Sequence, residues 1–143
     1  MKRKSSKNSK FKNNQELNNN NQELQQELNT LNLALVALFI VLYGVALNIN
    51  FVWVERIKVL DGINNTNYAE QLADLSDTPR KTNVLFLFST CIYTYILWNA
   101  YVVSAADNSE NRDEDLIRDN YNRFIAILLI LLATTINFEV LNT

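Results

Sequence analysis

Histidine is absent from the 143 residues. Imidazole acid–base catalysis, histidine metal ligation and histidine pH switching are therefore excluded. Cysteine occurs once, at Cys91, which rules out an intrachain disulfide and a CxxC metal knuckle. The glycines are Gly44 and Gly62 and the proline is Pro79. With so few, neither GxGxxG nor GxxxxGK[ST] can be written anywhere in the chain, so the usual phosphate-cradling loops of nucleotide enzymes are excluded as well. Net charge is also low, −2 at pH 7, too little to define a partner by itself. The length allows one domain of ordinary size.

What the chain does have is asparagine in unusual quantity, with many Ile, Lys and Tyr, a usage that suits an AT-rich genome and points to a bacterium or a virus. It also has apolar residues gathered in blocks. Leu31 to Val54 reads LNLALVALFIVLYGVALNINFVWV; as a helix it is about 36 Å long, against a hydrocarbon core of about 30 Å. Val84 to Ser104 (VLFLFSTCIYTYILWNAYVVS) carries no charge, and Phe124 to Leu141 (FIAILLILLATTINFEVL) carries none before Glu139. No polar face interrupts them, as one would in a soluble amphipathic helix. A bilayer offers no partners to free backbone N–H and C=O groups, so spans of this length are helical. The expected fold is an all-α integral membrane protein with three transmembrane helices and an N-terminal helical extension outside the bilayer. A soluble three-helix bundle is the rival, but uncharged runs of this length are rare in one. A cleaved signal peptide is another rival: Leu33 to Tyr43 would be its apolar core, with cleavage after Ala46. The long polar leader and the apolar residues that continue through Val54 count against it.

The expected boundaries are a basic disordered arm over 1–13, then a polar heptad-like helix running into the first span over 14–54. A loop with a short amphipathic helix follows over 55–81, the second span over 82–104, an acidic loop and the start of the third helix over 105–123, and the third span with the C-terminus over 124–143. In the first loop, Asn67 and Glu70 have capping-box spacing, Tyr68, Leu72 and Leu75 recur at four and three, and Thr78 with Pro79 suits an N-cap and first helical position. The second loop is acidic, which suits a helix N-terminus. Its DNSENRDEDLIR run fails as an EF-hand, with Arg112 at the glycine position and Arg118 at the bidentate glutamate position. Leu116 or Ile117, Tyr121 and Phe124 keep helical spacing, so the third helix begins ahead of its apolar run.

Orientation follows from the basic residues. The arm has Lys2, Arg3, Lys4, Lys7, Lys10 and Lys12, the first loop Arg56, Lys58, Arg80 and Lys81, and the second loop Arg112, Arg118 and Arg123. A cytoplasmic N-terminus puts nine basic residues inside and four outside, favouring N-in and C-out in a bacterial plasma membrane. Most of the arm lies farther than about 15–20 residues from the first boundary, which narrows the margin. Anionic headgroups are the expected partner of the arm, each Lys or Arg near the surface contributing about 1 kcal/mol. Phe11 is its one aromatic residue, too little for nucleic-acid reading.

A leucine beat crosses the polar–apolar junction. Leu17, Leu24, Leu31, Leu38, Val45 and Val52 share one core position of a heptad, and Asn21, Leu28, Leu35, Leu42 and Ile49 the other. Within the apolar run the pattern is uninformative, because almost any register is apolar there. Before it, the apolar residues of 14–30 are Leu17, Leu24 and Leu28, all on the stripe. Leu17, Asn21, Leu24, Leu28 and Leu31 are therefore the candidates for helix association, in a coiled coil with a second copy or with another membrane protein. A solvated helical extension and a disordered Asn/Gln tract are the alternatives.

Inside the spans, Thr90, Tyr93, Thr94 and Tyr101 are the intramembrane polar candidates, with Glu139 near the chain end as the lone acid of any span. Thr90, Tyr93, Leu97 and Tyr101 fall on one helical face, as a pore lining would require; interhelical hydrogen bonding is the plainer role. No catalytic, cofactor or metal constellation emerges. The expected function is that of a small non-enzymatic subunit, assembly factor or regulator acting through helix packing. The alternatives are a homo-oligomeric pore or transport protein and a membrane-bound immunity protein.

Overall fold

The computed structural model describes the backbone of residues 5–106 and 112–141, and the side chains of 20–106 and 112–141. Among the described residues the fold is all-helical. Helix α1 covers Ser5–Asn64, a short 3-10 turn Tyr68–Gln71, helix α2 Thr78–Ala105 and helix α3 Glu114–Val140. Three helices are long and apolar enough to cross a membrane, the stretches Asn20–Asn64, Thr78–Ala105 and Glu114–Val140. The chain divides into two units, Met1–Leu33 and Ala34–Thr143.

In the first unit, the described side chains from Asn20 to Asn32 are exposed all round the helix. The helical path begins at Ser5, within the stretch expected to be a disordered arm; side chains 1–19, Leu17 included, lie outside the described residues.

The second unit is built round α2. Proceeding along α2, Phe86, Ser89 and Tyr93 meet Gly44, Ala37 and Ala34 of α1 in turn, so those two helices run antiparallel. On α3, Asn83 meets Thr134 and Ala100 meets Asn120, so α3 is antiparallel to α2 as well. The α1 stripe turned inward is Ala34, Ala37, Val41, Gly44, Asn48, Phe51 and Val54, with a small residue at the closest approaches. The leucine stripe of the sequence lies about one residue's turn away, roughly 100° round the helix. Its members in this unit, Leu35, Leu38, Leu42, Val45, Ile49 and Val52, are exposed.

Burial follows an unusual rule. Among the described residues the buried hydrophobic side chains are Ala37 and Val54, whereas the buried polar ones are Asp61, Thr78, Thr82, Asn83, Ser89 and Thr90. Large apolar side chains such as Leu42, Ile49, Phe88, Val103 and Leu129 face outward. A fold driven by water would show the reverse, because each fully buried Leu, Ile or Phe contributes about 1.5–3 kcal/mol. Small residues and hydroxyls inside with bulky apolar residues outside is the arrangement helices adopt where the surroundings are as apolar as leucine.

The helix ends correct several expectations. α1 continues past Val54 to Asn64 and closes with Asn65 at φ 53°, while the Thr66 N–H donates to the Asp61 carbonyl at 3.1 Å. This is a Schellman-type stop, with asparagine in the left-handed position. The capping box is not formed: Asn67 makes no side-chain cap bond, and a four-residue 3-10 turn replaces the expected amphipathic helix. Asp61 explains the replacement, since its carboxylate accepts from the Thr66 hydroxyl at 2.5 Å and the Ala69 N–H at 2.6 Å, pulling the chain into a tight return. At α2 the N-cap position belongs to Asp77 rather than Thr78, and Pro79 is the second helical residue rather than the first. α3 begins at Glu114, ahead of its apolar run, with the Asp113 carboxylate accepting from the Leu116 N–H at 2.9 Å and Glu114 and Asp115 in the first turn. That Asp cap fits the acidic entry expected of this helix.

Candidate functional site: the polar seam along the second helix

The groups most capable of specific interaction in the second unit are the polar side chains of α2. Helix formation leaves the carbonyl oxygens of neighbouring helices in reach as second acceptors, and short polar side chains on a close-packed helix exploit them. Ser89, 1% exposed, donates its hydroxyl to the Ala37 carbonyl of α1 at 3.1 Å. The Tyr93 hydroxyl reaches the Ala34 carbonyl at 3.5 Å, a long bond. Between these and the loop, Gly44 lies against the Phe86 ring: a Cβ added to it would stand 2.9 Å from Phe86 Cε1.

The other flank of α2 addresses α3. The Asn83 carboxamide donates to the Thr134 carbonyl at 3.3 Å near one end. At the other end, Asn120 donates to the Ala100 carbonyl at 3.4 Å and to the Ser104 hydroxyl at 3.2 Å. Between those amides an aromatic group forms, with Trp98 5.1 Å from Phe124 and Tyr101 5.5 Å from Tyr121 between ring centroids. Those separations fall in the range where aromatic pairs add about 0.5–1.5 kcal/mol beyond area burial.

The polar candidates therefore part company. Thr90 and Thr94 donate to carbonyls of their own helix, Phe86 at 2.7 Å and Thr90 at 2.8 Å. Tyr93 turns to α1, whereas Tyr101 stacks in the aromatic group against α3. The single face expected for Thr90, Tyr93, Leu97 and Tyr101 is thus divided between two neighbours. Glu139 is exposed in the last turn of α3. In the first unit, Asn21, Leu24, Leu28 and Leu31 are exposed on α1.

Asn83, Asn120 and Gly44 are among the contributors outside the sequence-derived set. Asn83 and Asn120 flank the apolar runs rather than lie within them, so a search confined to uncharged stretches passes over both. Gly44 carries no polar atom, and its role is visible only in the approach of Phe86. Thr82, 2% exposed, is the one buried described side chain whose hydroxyl has no hydrogen-bond partner.

Beyond the uncharged run that ends at Val54, the Asp61 carboxylate is held below the usual carboxylate range, first by the Thr66 hydroxyl and then by the Ala69 N–H. Asp74 is lowered by the Ser76 N–H and hydroxyl, and Lys58 is raised by its hydrogen bond to Glu55 at 2.6 Å. The Asp61 and Asp74 contacts hold the loop, whereas the Lys58–Glu55 pair lies within α1.

Fold and seam together define a class, that of three-helix proteins whose helices are long and apolar enough to cross a membrane. No protein family matches the chain, and comparisons with curated proteins and with solved structures find no match either.

Proposed function

We propose that this chain is an integral membrane protein that crosses the bilayer three times and acts without catalysis, as a subunit, assembly factor or regulator. The N-terminus lies in the cytoplasm and the C-terminus outside. The observation that carries this reading is the inverted burial: hydroxyls and amides of α2 inside, large apolar side chains of all three helices outside. In water that surface far exceeds the apolar patches monomeric proteins tolerate; in lipid it is the ordinary exterior.

The non-enzymatic part rests on chemistry. The side chains of Asn83, Ser89, Thr90 and Thr94 are engaged with backbone carbonyls, histidine is absent, and none of the three groups with shifted acidity lies in the seam. Helix packing is what such groups support.

Membrane fractions washed at alkaline pH test the location: the chain stays in the pellet, and release to the supernatant overturns the reading. Cysteine accessibility from either side, with single cysteines at Ser6 and at Asn64 in a Cys91→Ala background, tests the orientation; labelling of both from the same side rejects a span between them. Purified chain in liposomes passes no ions or dye, and a robust conductance replaces the subunit reading with a pore.

A further inference from the structure

We propose that two copies of this chain pair through the N-terminal part of α1, as parallel, in-register helices meeting along Asn21, Leu24, Leu28 and Leu31. The inference rests on the membrane reading and names the partner that reading leaves open.

In the first unit, Leu24, Leu28 and Leu31 are 56%, 50% and 60% exposed. They stand in a stretch otherwise made of Asn, Gln, Glu and Thr. With Asn21 they follow steps of three, four and three, the spacing that aligns one seam on a helix. Leucine is the apolar residue that carries this spacing through residues 20–31, so the face is selective rather than a product of general hydrophobicity.

Two observations and the proposed topology choose a second copy over a different protein. Asn21 takes the core position shared with Leu28, where its amide needs a partner that both donates and accepts. A parallel pair in register supplies one, the same asparagine of the other copy, whereas a shift by one heptad sets the Asn21 amide of one copy against Leu28 of the other. The positions flanking the seam are Asn20, Gln25, Glu27 and Asn32. In the in-register pair Asn20 faces Gln25 and Glu27 faces Asn32, so no like charges oppose one another, and no charge pattern is present to select a foreign helix. Finally, copies inserted with the same topology present this segment on the same side of the bilayer and running the same way, which aligns them in parallel. Two heptads are short for an independent coiled coil in water. Anchoring both strands in one membrane raises their effective concentration and offsets that shortness.

The test uses the full chain in native membranes with Cys91→Ala and one new cysteine, at Leu24 or Leu28 on the seam or at Gln26 on the outward face. Mild oxidation is expected to give disulfide-linked species of twice the chain mass from L24C and L28C, at least tenfold more than from Q26C. Equal yields at all three sites, or adducts of another mass, overturn the proposal. Adding Asn21→Lys places two cations at the core and is expected to reduce the L28C dimer about tenfold; an unchanged yield also overturns it. Each sample is fractionated in parallel. A chain that stays in the membrane pellet without seam-specific dimers sinks the pairing alone, whereas a chain in the supernatant sinks the membrane reading beneath it.

Discussion

Replacing Gly44 by alanine adds one methyl group where the Phe86 ring stands 2.9 Å away. Carbon pairs settle at about 3.5–4.0 Å, so the overlap is roughly 0.6–1 Å, and overpacking of this kind costs about 1–3 kcal/mol. The opposing term is the preference of helices for alanine over glycine, about 0.8–1 kcal/mol in water. In lipid an inserted span stays helical whether packed or not, which shrinks that gain. Gly44→Ala is therefore expected to destabilise the bundle by about 1–2 kcal/mol, close to tenfold in the folding equilibrium. Gly44→Leu is expected to cost more. In a Phe86→Ala background the obstructing ring is gone and Gly44→Ala is expected to be neutral. The measurement is reversible unfolding of the purified chain in mixed micelles, followed by Trp53 and Trp98 fluorescence and arranged as a double-mutant cycle. If Gly44→Ala has the same effect in both backgrounds, or stabilises the native one, the close approach of α1 and α2 at this point is wrong.

Ser89→Ala removes the hydroxyl donated to the Ala37 carbonyl and is expected to cost about 0.6 kcal/mol, at most about 1.7, in the same assay; no loss at all means the bond is absent. Thr82→Val keeps the shape of a buried side chain while deleting an unpartnered hydroxyl, and it is expected to be neutral or stabilising by up to about 1–3 kcal/mol. A clear loss of stability shows that the hydroxyl has a partner. Because the Asp61 carboxylate is lowered by its contacts in the fold, its contribution is complete above the ordinary aspartate value of about 3.9 and is lost as pH falls through the lowered folded value. The Ala69 amide resonance is expected to move in that acidic window and to stay fixed in Asp61→Asn; movement in the variant refutes the assignment.

The helices themselves were legible because their signal is length without charge, which needs no tertiary information. Composition alone locates Leu31 to Val54 and Phe124 to Leu141, and the acidic run before Leu116 locates the start of α3. The inward stripe of α1 was not legible. In an apolar run, leucine periodicity and packing periodicity separate: the packed stripe is built from Ala34, Ala37 and Gly44, chosen for small size, and the leucines fall beside it. The Asn67 to Glu70 spacing failed for a related reason, since an aspartate six residues earlier takes the backbone donor of Ala69 and draws the chain into a tighter turn. Sequence windows rank such local pairs without seeing the distant competitor.

The polarity of α2 has a consequence for how the molecule is made. It is the least apolar of the three spanning candidates, and it donates to both neighbours, Ser89 to the Ala37 carbonyl of α1 and Asn83 to the Thr134 carbonyl of α3. In the membrane reading proposed above, α1 emerges first and is lodged in lipid when α2 arrives, so Ser89 has its acceptor waiting. In the same reading Asn83 waits for the last helix before its amide meets the Thr134 carbonyl. That reading gives biogenesis a vulnerable interval between the second and third insertions, in which a two-helix intermediate carries the Asn83 amide without its Thr134 acceptor.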